Sequence, residues 1–324
     1  MDRETTEDMR SSMLTKLWAL ALLWGFSASG ADLRLGIIGT DTSHVIAFTK
    51  LLNDASSPQH VPGARVVAAF KGGSKDMPDS YKRVDKFAEE LRAKWNIEFA
   101  PDIPSLCRKV DGVMIESVDG RQHLEQVKQA LASGKPVWID KPLASSLTDA
   151  REIARLAKEA GVPWFSASAL RYGKDVESMK FADASGAVAW GAGPLGHEQL
   201  DLAYYAIHVV ELLYGVLGLG CEEVTRTHTE GADVIVGKWK GGRTGEVRAL
   251  RPDSDYGVLV FRAGGKVGVA PKIDDSYRPL VAEIVKFFET KQPPVSNAET
   301  LEVIEFMDAA QRSMAQGGAP VKIR

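Results

Sequence analysis

Cysteine is nearly absent: two residues, Cys107 and Cys221, stand in 324. They make neither a metal-ligand spacing nor a disulfide framework, and a small buried apolar role suits each of them. The six histidines form no HExxH or HxH cluster, so no structural or catalytic metal is expected. A basic block is also lacking. The 40 Lys and Arg against 43 Asp and Glu leave a net charge of −3, which argues against a nucleic-acid partner. No apolar run is long enough to cross a bilayer comfortably, and no internal repeat or low-complexity tract interrupts the chain. What is present, 44% hydrophobic and 26% charged residues, is the composition of a soluble globular protein with room for two domains.

The amino terminus reads as a targeting signal over residues 1–31. A short apolar core behind Lys16 runs to Phe26, and Ser29 and Ala31 supply small residues at cleavage positions. The start, with Asp2, Glu4, Glu7 and Asp8, is acidic for such a signal, and translation from Met9 or Met13 would leave a basic one. No cysteine follows the core and no twin arginine precedes it, so a general secretory route to the periplasm or exterior is expected, with no membrane attachment after cleavage.

From residue 33 the hydrophobic pattern alternates. Short apolar runs at 33–38, 65–70, 112–115, 136–140 and 162–165 read as strands. Helical periodicity separates them at about 44–53, 80–94, 104–109, 122–133 and 146–160. Strands alternating with helices mean a doubly wound parallel sheet, here over residues 32–170. After Tyr172 the pattern changes. A helix at 174–182, a Gly- and Ala-rich connector at 186–196 and a strong helix at 200–217 precede five strand-like runs between 223 and 269. Helices at 277–290 and 298–316 close the chain. Residues 171–324 therefore read as an α+β domain with a mainly antiparallel open sheet. Its exposed face, including Tyr256 to Phe261, suits a homo-oligomer contact.

One stretch stands out. The apolar run Val137–Ile139 ends on Asp140, Lys141 and Pro142. Proline cannot donate to a sheet ladder, so the strand stops there. Lys141 is thereby placed at the carboxyl end of a parallel strand, where open α/β sheets bind ligands.

These pieces resemble the Gfo/Idh/MocA family of sugar oxidoreductases. The likeness rests on the first strand, turn and helix, on Val110 to Ile115 followed by His123, and on Ala130 to Pro142, which reads ALASGKPVWIDKP. It continues through Gly161 to Pro163, Leu170 to Tyr172, and Ala206 to His208. The resemblance implies a Rossmann domain that carries NAD or NADP, followed by an α/β domain. It implies hydride transfer to or from a sugar or sugar derivative, with Lys141 polarising the reacting oxygen and His208 as general acid/base. It places Gly39, Thr40, Asp41, Ser43, His44, Lys71, His123, Asp140 and Lys141 along the cofactor. Lys141 and His208 would face the substrate; Arg171, because it follows the last strand of the first domain, and Asp201 are further candidates to meet it.

Three departures qualify this. The fingerprint G-x-G-x-x-G/A becomes Gly39-Thr40-Asp41-Thr42-Ser43-His44. A carboxylate at 41 suits a helix cap and competes with phosphate for the helix end. No acid closes the second strand to hold the ribose hydroxyls. Lys71 and Ser74 stand there instead, as ligands for a 2′-phosphate or as an ordinary polar loop. Tyr204 replaces the family's aspartate four residues before His208, and is expected to act as a proton donor whose pKa Lys141 lowers. Asp201 offers a substitute carboxylate. Two other readings follow: a redox-inactive carbohydrate binder, or a glycoside-cleaving relative that retains its nicotinamide.

Overall fold

The computed structural model of the protein describes residues 31–196 and 200–323. The signal expected over 1–31 lies, apart from Ala31, outside these residues. The chain opens with β1 (Leu33–Ile38), α1 (His44–Asn53) and β2 (Ala64–Phe70). Where periodicity predicts one helix over 80–94 there are two, α2 (Pro78–Tyr81) and α3 (Val84–Trp95). The physical reason is a tether. Ser80 is fully buried, and its hydroxyl donates to Asp41 Oδ2 at 2.6 Å. That bond pins α2 to the β1–α1 loop, and α3 starts afresh along the sheet.

Next come β3 (Glu98–Phe99), α4 (Ile103–Cys107), β4 (Gly112–Ile115), α5 (His123–Leu131), β5 (Val137–Ile139), α6 (Leu147–Ala160) and β6 (Trp164–Phe165). Ser146 caps α6 by accepting from Asp149 N at 3.0 Å, and Gly161 ends it at φ 64°. The six strands lie in the order β3-β2-β1-β4-β5-β6, every pairing parallel. Side chains alternate across this sheet. Val113, Ile115, Val137 and Ile139 pack on the α4–α6 side, while Met114 and Trp138 pack on the α1 side. The strand order reverses between β1 and β4, which makes the crevice at their carboxyl ends the topological switch point.

Beyond β6, a 3₁₀ turn (Ala169–Tyr172) leads into α7 (Lys174–Ser178), shorter than the helix expected to residue 182. The Gly- and Ala-rich stretch read as a connector is instead β7 (Ala184–Ala192), in the middle of the second sheet. Its small residues admit close neighbours. A Cβ on Gly186 would lie 2.7 Å from the Thr244 carbonyl oxygen, and one on Gly191 would run into the Tyr256 ring. A second 3₁₀ turn (Asp201–Ala203) precedes α8 (Ile207–Leu217), so the helix expected from residue 200 begins seven residues later than read. Asp201 holds Arg226 Nη1 at 2.9 Å, while its own N–H donates to Gln311 Oε1. These bonds fix the turn away from the α8 axis.

The chain then makes β8 (Cys221–His228), β9 (Ala232–Trp239), β10 (Thr244–Leu250), β11 (Gly257–Arg262), β12 (Val267–Ala270), α9 (Arg278–Thr290), α10 (Asn297–Ala315) and β13 (Val321–Lys322). The second sheet runs β12-β11-β7-β10-β9-β8-β13. It is antiparallel except for the parallel pair β7–β10. Residues of α8 and α10 cover one face, with Leu213, Phe306 and Met307 against Ala189, Ile235 and Val247. The other face is open. Across it the register aligns Val269, Leu259 and Val188 in one apolar row. Helix α9 returns to the first sheet, where Leu280, Ile284 and Phe287 join Leu35, Phe48 and Trp138. The first layer thus draws on residues well past 170.

Candidate active site

The loops at the carboxyl ends of β1, β4 and β5 face the start of α8 across a cavity of about 400 Å³. Thr42, Ser43 and His44 line it from the start of α1, Lys141 and Pro142 from the end of β5, and Tyr204, Tyr205 and His208 from the start of α8. Tyr256 and Tyr277 complete the wall. A larger cavity of about 780 Å³ lies elsewhere, beside β8 and α10. Its half-buried acceptor, Glu302, is already satisfied by the N–H groups of Gly220 and Cys221 and the hydroxyl of Tyr214. The smaller cavity is where reactive groups converge at a sheet edge.

Lys141 stands where the break after β5 puts it. Its backbone N–H donates to its neighbour's carboxylate, Asp140 Oδ1, at 2.8 Å. Its amine makes no ion pair among the described residues and lies 6.0 Å from the centroid of the Tyr205 ring. Desolvation pulls the amine's pKa below the ordinary lysine value, against the pull of Asp140. His208, in the first turn of α8, has Nδ1 2.7 Å from Ser168 Oγ. Burial, then the Lys141 charge, holds its pKa well below the usual histidine range. The imidazole is therefore neutral at pH 7, with Nε2 left to the cavity.

His44 was placed along a cofactor by the sequence, and the structure gives it a different partner. Its Nδ1 lies 2.5 Å from Asp140 Oδ2. The ring stacks on Phe48, with centroids 5.1 Å apart, and meets the edge of Tyr277. Burial would raise the pKa of Asp140, but His44 and Lys141 outweigh it and the net shift is downward. Beside this pair sits Glu116, fully buried, with neither carboxyl oxygen bonded among the described residues. Burial first, then Asp140, pushes its pKa well above the ordinary glutamate value and so favours the neutral acid. No sequence motif pointed to Glu116 or Ser168. Their signal was only position, just past the ends of β4 and β6.

Other expected residues are placed otherwise. Asp41 does not cap α1. It is fully buried and accepts from Ser80 Oγ and, at 3.1 Å, from Val118 N. Gly39, at φ 90°, and Thr40 are also occupied: their N–H groups donate to the carbonyls of Phe70 and Gly72 at 3.0 and 3.1 Å. A side chain on Gly39 would collide with the backbone of Ser117. Ser43 lines the cavity. Lys71 pairs with Asp85 at the surface, and Ser74 is buried against Asp119. His123 is a core residue, its two nitrogens facing the carbonyls of Ser117 and Leu143.

Tyr204 is not a helical partner of His208. It lies in the turn before α8 and donates to Asp79 Oδ2 at 2.5 Å. Its pKa is not lowered by Lys141 but pushed up to about 12, by burial and by Asp79. Arg171 and Asp201 do not line the cavity. Arg171 is buried between Glu211 and Glu299, and Asp201 pairs with Arg226.

Comparison with known proteins follows this geometry. Residues 33–168 match the model of the oxidoreductase family with an NAD-binding Rossmann fold. A 1,5-anhydro-D-fructose reductase of Ensifer adhaerens is 39% identical over 79 residues, which are 24% of this chain and 23% of that enzyme. The match therefore spans about a quarter of the curated relative's length. Among solved structures, myo-inositol dehydrogenase of Lactobacillus casei, in complex with NAD(H) and myo-inositol, superposes with a TM-score of 0.71. Identity is 18%, over 90% of this chain and 97% of that one. A probable dehydrogenase of Thermotoga maritima gives 0.70 at 20% identity, over 90% and 98%. At such identities the likeness establishes the fold.

Proposed function

Residues 33–168 belong to the Gfo/Idh/MocA oxidoreductase family, whose Rossmann fold binds NAD, and on that premise we propose that the cavity takes a sugar-type polyol and handles the proton of one hydroxyl. The observation that carries this is the meeting of a lowered-pKa amine, Lys141, with a neutral imidazole, His208, in one cavity at the sheet edge. Neutral His208 is the base: it takes the hydroxyl proton on Nε2 while Ser168 holds Nδ1. Lys141 donates to the same oxygen and stabilises the negative charge that develops there. His44, oriented by Asp140, is a second imidazole on the wall and can accept from a neighbouring hydroxyl. Tyr205 and Tyr277 offer flat apolar faces to a sugar ring. The relatives' substrates, an anhydrofructose and an inositol, support the substrate class.

In the family reading, NAD or NADP exchanges the hydride. The residues at the nicotinamide end, Thr42 to His44 and Lys141, leave room at the cavity. Those at the adenosine end do not fit a dinucleotide in this conformation, because Ser74, Asp119 and Gln122 bond directly to one another. The closed end specifically favours a second reading, a family member that binds or turns over a carbohydrate without redox exchange. Export by the amino-terminal segment and self-association through the open sheet complete the proposal.

The test is thermal unfolding with a panel of polyols that includes myo-inositol and 1,5-anhydro-D-fructose. A ligand at a hundred times its Kd stabilises by about 2.7 kcal/mol, a rise of roughly 5–10 °C for a chain of this size. The rise should vanish in Lys141→Met and His208→Asn. A panel without effect, or a rise undiminished in both variants, would reject the site.

A further inference from the structure

A dinucleotide on this fold lies across the carboxyl edge of the sheet. Its pyrophosphate meets the start of α1, and its adenosine lies between the end of β2 and the loop after β4. In this protein the chain itself runs through that second space. After β2, residues 71–77 fold back over the edge, and Gly72 O takes the N–H of Thr40 that a phosphate approach would use. Ser74 is buried at 4% exposure. Its hydroxyl donates to Asp119 Oδ2 and accepts from Gln122 Nε2 at 2.7 Å, and its N–H donates to Ser80 Oγ at 2.6 Å. Arg121 then bridges Asp119 and Asp76. At the other end Asp41 draws together Ser80 of α2 and the N–H of Val118. Three loops that would embrace an adenosine are thus sewn to each other.

The bonds have a chemical logic. The two carboxylates stand at the sheet edge where the fold offers unpaired N–H groups and hydroxyls to an anion. They accept from Ser74, Ser80, Arg121 and Val118, a set of donors suited to phosphate and ribose oxygens. The buried Asp41 carboxyl stands at the second fingerprint glycine, where close backbone approach to a pyrophosphate is needed.

We infer that residues 71–81 are an intramolecular occupant of the adenosine half of the seat, and that Asp41 and Asp119 are the residues that decide whether a nicotinamide dinucleotide is taken. The inference rests on the family reading of the fold. Loss of the Asp41 or Ser74 contacts frees the occupant, and a dinucleotide must displace it to bind.

The experiment measures binding of NAD⁺, NADH, NADP⁺ and NADPH to the full chain by calorimetry, with amide hydrogen exchange of residues 71–83 as a second readout. The variants are Asp41→Gly and the milder pair Ser74→Ala with Ser80→Ala, which removes two hydroxyls and keeps the buried carboxylates. The expected result is at least tenfold tighter binding of one dinucleotide by the variants than by the wild type. Exchange over 71–83 should be slow in the wild type, and fast in the variants and in any dinucleotide complex. Equal binding by wild type and variants, with unchanged exchange, would overturn the occupant while leaving the oxidoreductase reading in place. No binding by any form, in variants whose folding and polyol response are intact, would overturn both, and the cavity would stand as a carbohydrate site alone.

Discussion

Glu116 shows what a single residue can cost at the sheet edge. It follows the fourth buried residue of β4, its carboxyl has no hydrogen-bond partner among the described residues, and it lies beside the Asp140 carboxylate. Its folded pKa is raised, so the folded state holds a proton that the unfolded chain releases above about pH 4.5. The sign follows: stability falls as pH rises from there toward the folded pKa. Glu116→Gln keeps the shape and removes the titration. The variant should gain stability at pH 7, where the burial of Glu116 is resisted by its charge, and nothing below pH 4. Urea titrations at pH 4 and pH 7 measure this, and equal gains at both would exclude the mechanism. His208 has the opposite sign. Its lowered pKa means that stability drops as pH falls below about 6.5, and His208→Asn should lose that acid limb in the same titrations. The lysine at 141 was legible because proline stops a strand. The partners of His44 and Tyr204 were not, because each reaches more than ninety residues along the chain, to Asp140 and from Asp79.

At the scale of elements, the Arg171 cluster joins pieces that sequence proximity keeps apart. Arg171 follows β6, Glu211 lies on α8 and Glu299 on α10. Sequence reading assigned this arginine to a substrate because it follows a strand end. The fold instead buries it and spends its charge on two carboxylates. Removing one member of such a cluster strands the others, at about 3–5 kcal/mol. Arg171→Ala should unfold that much earlier in urea, yet keep a polyol response in whatever fraction folds. A variant of wild-type stability that loses only the polyol response would return Arg171 to the site. The elements themselves were mostly readable. Periodicity found β1, β2, β4, β5 and β6 and the helices α5, α6, α9 and α10, where one apolar face repeats cleanly, but not the two-residue β3. It merged α2 with α3 and extended α8 backward, because the breaks arise from tethers to distant residues, Ser80 to Asp41 and Asp201 to Arg226. It also passed over β7, whose alanines and glycines carry little strand propensity and form a strand only because neighbours on both sides complete the ladder.

At the scale of the molecule, the open face of the second sheet has no covering layer among the described residues. Phe261, Val267 and Val269 are 45%, 49% and 53% exposed there. An apolar sheet face of this kind predicts association of two copies. Light scattering at micromolar concentration should give about twice the 35.2 kDa of the full chain, and Val269→Asp should reduce it to one. A wild-type mass of one chain would remove the prediction. The sequence by itself determined the layered α/β plan, the placing of Lys141 at a strand end and the family of residues 33–168, because these depend on periodicity, chain stops and local spacing. Only the tertiary structure decided what the polar residues do. Whether Asp41 caps a helix or ties three loops, and whether Ser74 waits for a phosphate or is already bonded, depends on which distant donors arrive first at a buried carboxylate. That is set by packing, not by neighbours in sequence.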